Sequence, residues 1–435
     1  MTEKRFRGPR YVLATILIGV GAVALGVTAT LYDRPSTTAA AAATDPLSAH
    51  ISQLTQQLER VPGNARAWAD LGGSYVELAR VTGDPENYGN AQRALDRSLV
   101  LQPEANADAL IGLGALANAR HDFGPARGYA EQAVALRPTS ADGYGVLIDA
   151  LTQLGDADAA TAAVQRMLAL RPGVPSFTRA AYDLELHGRT AEARTALQMA
   201  LAAANIPDQI AFCRYHLGEL AFTTGDLAEA ESQYRAGLLA NPGSVALRQG
   251  QAKISAARGA IGEAITQYAA LTEDAPLPEY LIEFGELLEA AGRPDEAAAK
   301  YQEVATRFDR LAAEGTTEYA GAALFAADHG DPAEAVRLAE LEFGRRQFVL
   351  TADTLAWSLH KAGRDADALV LADRAASLGW RNATFAYHRG MILAALGRNT
   401  EAAAALTEAV QINPHFSPLH APRAEAALDA LLGAG

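Results

Sequence analysis

The stretch that decides the fold is residues 68–75, which read WADLGGSY. Its apolar and small residues are spaced three and four apart, as on one face of an amphipathic helix, and they are Trp68, Leu71, Gly72 and Tyr75. A second series, Ala91, Leu95 and Ser98, ends at Pro103, which cannot continue a helix. Between the two series, residues 81–88 (VTGDPENY) contain turn-forming residues and read as an inserted loop. The stretch therefore predicts a helical hairpin.

The same pattern returns along the chain. Glycines matching Gly72 stand at Gly114, Gly218, Gly285 and Gly390. A second series recurs roughly every 34 residues, at Gly155, Gly188, Gly225, Gly259, Gly292, Gly330, Gly363 and Gly397. We expect each of these to end the first helix of a hairpin with a positive φ. One hairpin cannot bury its apolar face alone, but a stack of about ten would bury a continuous core.

The motif Trp68-x2-Leu71-Gly72-x2-Tyr75 resembles the start of the tetratricopeptide repeat (TPR) consensus, and matching units extend to about Pro414. The resemblance implies an all-α fold, a right-handed α-solenoid of about ten helical hairpins. A capping helix is predicted after the array. One transmembrane helix is predicted before it.

The predicted boundaries follow from these elements. The segments are a cytoplasmic basic tail (1–10), a transmembrane signal anchor (11–32), a tether (33–46), a leading helix (47–61), the TPR array (62–415) and a capping helix (416–435).

The anchor is inferred from the apolar run YVLATILIGVGAVALGVTATLY at 11–32. About 20 apolar residues span a bilayer as a helix, and the run follows Lys4, Arg5, Arg7 and Arg10. Basic residues stay on the cytoplasmic side, so the array is expected on the outer side of the cell membrane. The alternative is a signal peptide cleaved between 39 and 43, which would release a soluble protein.

A stripe of small residues in this run includes Gly19, Ala22 and Gly26. Such stripes let transmembrane helices approach closely and would support a homodimer. The other reading is that export segments are commonly rich in Gly and Ala.

The composition excludes several classes of partner and site. The formal net charge of -14 makes nucleic acid a poor partner, because its phosphates need a basic surface. The Ala and Arg content is typical of a GC-rich bacterial genome. The one cysteine, Cys213, can form neither an internal disulfide nor a thiolate metal site.

No catalytic motif is found. The sequence has no H-E-x-x-H pair, P-loop or G-x-S-x-G elbow. The pair His415 and His420 has no cysteine or carboxylate nearby in sequence. We therefore predict no enzyme activity, no cofactor and no metal.

The resemblance implies that the first helix of each hairpin lines a concave groove. Residues that avoid the packing positions are predicted to face it, and they are Tyr182, Phe212, Tyr215, Glu219, Phe222, Lys253, Glu286, Glu289, Trp357, His360, Tyr387 and Met391. Aromatic rings beside carboxylates favour a basic, partly apolar peptide or protein segment. The Lys and Asn residues with which the family's best-known groove clamps a terminal carboxylate are missing here.

The predicted function is a non-catalytic protein–protein interaction scaffold displayed on the outer side of the bacterial cytoplasmic membrane. Four alternatives stay open. The protein could be a secreted adaptor, or a solenoid that binds a small molecule or glycan. The aromatic residues could also pack within the array and contact no ligand. The binding site could lie on the convex face or on the inserted loop instead of in the groove.

Overall fold

In the computed structural model, residues 46–82, 84, 86–313 and 319–433 are described, and they form 22 α-helices. Helix α1 (Pro46–Arg60) leads the array. The first five hairpins follow as α2 (Ala65–Thr82) with α3 (Glu86–Leu101), α4 (Ala107–Ala119) with α5 (Phe123–Leu136), α6 (Ala141–Leu154) with α7 (Ala157–Leu170), α8 (Val174–Leu186) with α9 (Thr190–Ala203), and α10 (Pro207–Thr223) with α11 (Leu227–Ala240).

Five more hairpins and a final helix complete the array. They are α12 (Val245–Ala257) with α13 (Ile261–Asp274), α14 (Pro278–Ala290) with α15 (Pro294–Ala313), α16 (Tyr319–His329) with α17 (Pro332–Arg345), α18 (Val349–Lys361) with α19 (Asp365–Ala375), α20 (Ala383–Ala395) with α21 (Asn399–Ile412), and α22 (His420–Gly433). Each hairpin packs on the next, and its first helix also contacts the first helix of a neighbour in most pairs.

The predicted fold class needs one correction. None of the helices within the described ranges is long and apolar enough to cross a bilayer, so the array is not shown to be preceded by a transmembrane helix. The predicted anchor at 11–32, with Gly19, Ala22 and Gly26, lies outside the described residues, as do the basic tail and most of the tether. What the structure describes is an all-α array of hairpins.

Small residues set how closely two helices of a hairpin approach. A Cβ added to Gly218 would lie 2.3 Å from the ring of Tyr234, and one added to Gly72 would lie 2.5 Å from Leu95. Gly285 and Gly390 are crowded in the same way, whereas the nearest side chain to Gly114 is Val146 of the next hairpin. In the first hairpin the indole of Trp68 donates to the carbonyl of Pro62 at 3.0 Å, while Leu71 is buried and Tyr75 half-buried.

Two local expectations were wrong. Residues 81–88 do not form a wholly inserted loop, because α2 continues to Thr82 and α3 begins at Glu86, so the extra residues mostly lengthen the two helices. Gly330 does not take a positive φ. Its amide still bonds to the carbonyl of Ala326, and Asp331 caps the next helix, so no left-handed residue is needed there.

The array curls until its last hairpins meet its middle ones. The hairpin turns at Gly155, Gly188 and Gly225 lie against the links that contain Gln347, Gly379 and Ile412–Asn413. A Cβ on Gly155 would lie 2.5 Å from the carbonyl oxygen of Gln347, and one on Gly188 would lie 2.4 Å from that of Gly379. Both glycines also have a positive φ, 79° and 70°. We call this line of three contacts the seam.

Candidate functional site

The concave side of the middle hairpins faces the last hairpins across a central cavity of about 230 Å³. Its walls come from α6, α8, α10, α12 and α14 on one side and from α16, α18, α20 and the adjoining links on the other. The curl described above therefore places the last hairpins across the predicted groove and partly encloses it.

Five of the predicted groove residues line the central cavity: Tyr182, Phe212, Glu219, Phe222 and Lys253. Glu219 is buried and accepts bonds from the Lys253 ammonium at 2.8 Å and from the hydroxyl of Tyr234 at 2.6 Å. The same ammonium lies 4.6 Å from the ring centre of Phe222. The middle hairpins thus hold a charge pair against an aromatic wall.

The other predicted groove residues lie elsewhere. Tyr215 packs in the core around Tyr234 and the edge of His216. Trp357 and Tyr387 are each 2% exposed. They form an aromatic cluster that Met391 covers, and the Nδ1 of His360 pairs with Asp365.

Glu286 and Glu289 face the final helix. Glu289 accepts from the hydroxyl of Tyr301 at 2.9 Å and from Arg423 at 3.1 Å. Glu286 accepts from Ser417 at 3.3 Å and lies 3.8 Å from the Nε2 of His329. These two carboxylates hold α22 on the array, so they are engaged within the chain.

An ion pair between His420 and Asp328 also connects α22 to α16. The Nε2 of His420 lies 3.5 Å from Asp328, whose other oxygen accepts from the indole of Trp357 at 3.0 Å. Burial alone would raise the pKa of Asp328, but the hydrogen bond and charge of His420 outweigh it and lower that pKa. For His420 the two effects have the opposite signs. Burial alone would lower its pKa, but the hydrogen bond to Asp328 outweighs burial and raises the pKa above its usual value. His420 and Asp328, distant in sequence, become direct partners.

Several cavity residues had not been predicted. Trp380, Arg346, Phe385 and His388 all contribute to the lining. The Nη1 of Arg346 donates to Gln153 across the seam, and the guanidinium also pairs with Glu342. Their positions depend on the curl of the whole array, and no local pattern in the sequence reports that curl.

One carboxyl on the cavity wall is strongly perturbed. Burial raises the pKa of Glu185 to about 7, against the opposing effect of a hydrogen bond from the Trp380 indole, and the nearby charge of Glu219 raises it further. Cys213 is fully buried, and burial raises the pKa of its thiol to about 12. Within the described residues, no group of three or more His, Cys, Asp or Glu side chains is placed to hold a metal.

The family model described as tetratricopeptide repeat matches residues 119–175, 178–245, 215–278 and 354–415, which together make up about half of the chain. The chain belongs to the tetratricopeptide repeat family. The predicted resemblance is thereby confirmed. Proteins of this family generally mediate protein–protein interactions, and most of them are non-catalytic scaffolds.

Three of the solved structures to which this TPR protein is similar are the following. A thermophilic TPR protein of Thermus thermophilus is 24% identical, with a TM-score of 0.37, over 42% of this chain and 95% of its own. The pilF protein of Pseudomonas aeruginosa is 19% identical, with a TM-score of 0.40, over 48% and 93%. A human IFIT1 dimer with PPP-AAAA is 15% identical, with a TM-score of 0.45, over 84% and 89%. No curated protein sequence matches this chain.

Proposed function

We propose that this TPR protein is a non-catalytic scaffold that binds a protein or peptide partner, and that a basic, partly apolar segment of the partner enters the central cavity. The observation that carries the proposal is the cavity lining. It combines the rings of Phe212, Phe222 and Trp380 with carboxylates such as Glu185. Aromatic faces attract cations, and carboxylates complement them.

The size of the cavity limits what can enter. About 230 Å³ is below the roughly 300–1,000 Å³ of pockets that hold drug-sized ligands. The segment is therefore narrow, with one or a few side chains inside and the remainder of the partner on the rim. Helices on two sides of the cavity hold the lining in place, which favours binding because little order is lost.

Site-specific photo-crosslinking tests this placement. A photoreactive amino acid at position 212, on the cavity wall, is expected to capture the partner. The same amino acid at position 239, where Leu239 is 83% exposed and outside the cavity lining, serves as the control. A partner captured only from position 239 would place the interaction on the convex side and refute the cavity assignment.

A small-molecule ligand is a second candidate, and the enclosure of the cavity by the last hairpins favours it. In a thermal-shift screen of the full chain against peptides, sugars and amines, a small-molecule binder is stabilised by free compounds and not by peptides. A protein-binding scaffold is stabilised by peptides and not by free compounds.

A location outside the cytoplasm is proposed on the sequence of residues 1–45 alone, where basic residues precede an apolar run as in exported proteins. A carboxyl-terminal alkaline phosphatase fusion, active only after export, tests it. An inactive fusion with an active cytoplasmic reporter in its place would rule export out.

A further inference from the structure

Five carboxylates line the central cavity, and three of them already have their partners inside the chain. Asp149 accepts from Arg179 with both oxygens, at 2.8 and 2.6 Å. Glu219 is paired with Lys253, as described above. Glu283 accepts from the Gln249 amide at 2.8 Å and from the hydroxyl of Tyr268 at 3.0 Å. These three therefore have no need of a ligand. The remaining two are Glu185 and Asp353.

Asp353 is short of a hydrogen-bond donor. Its side chain comes from α18 and is 4% exposed. One carboxylate oxygen, Oδ2, accepts from the Nδ1 of His388 at 2.9 Å. The other, Oδ1, is buried without a hydrogen-bond partner among the described residues. An ionised oxygen left in this state is costly, because it has lost water and gained no donor. A ligand in the cavity would supply that donor.

Glu185 is the second of these carboxylates and lines the cavity from the middle hairpins. It lies on α8 and forms no ion pair within the described ranges, although the Trp380 indole donates to it. Its pKa of about 7 reflects burial without a counter-charge. The hydroxyl of Tyr182, one helical turn earlier and also on the cavity wall, is buried without a partner.

The positively charged residues of the lining are engaged elsewhere or exposed, and His388 bonds to only one oxygen of Asp353. Arg179 and Lys253 are paired as above, and Arg346 pairs with Glu342. Arg381 lies on the exposed side of its link. The polar demand of the cavity is therefore for hydrogen-bond donors with positive charge, and its apolar wall combines aromatic and aliphatic side chains.

We propose that the cavity contains a subsite for an ammonium or guanidinium group on an apolar chain, which donates to Asp353 Oδ1 and to Glu185 while the chain lies against the aromatic wall. The group is the end of a Lys or Arg side chain in a partner segment, or that of a free alkylamine. The inference rests on the proposed function, because the same cavity is used. It adds which chemical group is recognised and which two residues recognise it.

Calorimetric titration of the full chain with matched probes tests the subsite. The probes are the capped pentapeptide Ala-Leu-Lys-Leu-Ala, its analogue with norleucine in place of lysine, and 1,5-diaminopentane. The lysine peptide is expected to bind about tenfold or more tightly than the norleucine peptide, the range expected for one hydrogen bond between charged groups. Binding of the free diamine as tight as that of the lysine peptide would identify an amine, not a peptide, as the source.

Asp353→Asn and Glu185→Gln are each expected to lower the affinity of the cationic probes about tenfold or more and to leave norleucine-peptide binding unchanged. Asp158→Asn, which removes the same charge from an exposed site outside the cavity, is expected to change neither. Thermal unfolding shows whether each variant is folded before its affinity is compared, because in Asp353→Asn the side-chain oxygen can still accept from the Nδ1 of His388.

Three results would overturn the subsite. They are equal binding of the lysine and norleucine peptides, unchanged affinity in both folded variants, and no binding of any cationic probe. The first leaves the proposed function standing, since a segment still binds. The proposed function itself fails if the natural partner crosslinks outside the cavity, or if free compounds and not peptides stabilise the protein.

Discussion

The side-chain amide of Asn413 donates a hydrogen bond of 3.0 Å to the backbone carbonyl of Phe222, 191 positions earlier in the chain. Asn413 ends α21 and is 1% exposed, while the ring of Phe222 lies on the cavity wall. One bond thus connects the seam to the site. Most TPR hairpins interact only with their neighbours, and here the middle and the end of the array also support each other.

Replacing Asn413 should therefore destabilise the array. Asn413→Ala leaves the Phe222 carbonyl buried without a donor, at a cost of about 1–3 kcal/mol. Asn241 is the matched control, since it also ends a helix and precedes a proline, but its amide bonds to Asp208 in its own hairpin. Urea unfolding should show a larger loss for Asn413→Ala than for Asn241→Ala. An equal loss of unfolding free energy in the two variants would mean that the hydrogen bond of Asn413 across the seam does not stabilise the fold.

The turn glycines provide a second test of the seam. Gly188→Ala and Gly259→Ala both put an alanine in a left-handed conformation, which costs about 1–2 kcal/mol. At Gly188 the new methyl also collides with the carbonyl of Gly379, whereas at Gly259 nothing lies within 4 Å. We expect Gly188→Ala to lower the free energy of unfolding further. The same loss in both variants would contradict a close contact at the seam.

Close helix approach within a hairpin predicts opposite effects for two helical glycines. An alanine at Gly218 would meet the ring of Tyr234, and overpacking of this kind costs about 1–3 kcal/mol. An alanine at Gly73 meets nothing within 4 Å and should stabilise α2 by up to about 1 kcal/mol, because glycine disfavours helix. Thermal unfolding midpoints measure both changes. A stabilising Gly218→Ala would show that the ring of Tyr234 can move away.

The pair of Asp328 and His420 predicts a pH window. The pKa of Asp328 is lowered in the folded protein. The ionised carboxylate therefore stabilises the fold fully at pH values above about 4, which is the pKa of Asp in the unfolded chain, and this stabilisation is lost as the pH falls further. The pKa of His420 is raised in the folded protein. The charged imidazole therefore stabilises the fold fully at pH values below about 6.5, which is the pKa of His in the unfolded chain, and this stabilisation is lost as the pH rises further.

The stability difference between the natural protein and His420→Gln should therefore be largest between about pH 4 and 6.5. Unfolding in urea at a series of pH values measures it. The groups that face this pair are Glu286, Arg423, His388 and Lys361, and they remain in both proteins. His415→Gln, in the link before α22, controls for loss of a histidine. A difference that does not vary with pH would show that the pair makes no charged interaction in the fold.

The sequence alone determined the repeat unit. The spacing of Trp68, Leu71, Gly72 and Tyr75 dictates one hairpin, because each of these residues acts on its own helix or on the next one. The spacing of residues in the sequence is sufficient to predict a hairpin when every contact in it is with a sequence neighbour. The family was recognisable for that reason. The wrong expectations at residues 81–88 and Gly330 concern where helices end, which capping and helix extension decide locally.

Only the tertiary structure decided what the concave face encloses. Small rotations between successive hairpins add up over the array, and their sum brings Gly188 to Gly379 and Asn413 to Phe222. No single repeat carries a signal for that sum. Trp357 and Tyr387 face inward by the phase of the repeat, yet neighbouring helices cover them. Asp353 and Glu185 both lie on the first helix of a hairpin, α18 and α8, but only the curl placed both on the wall of one cavity.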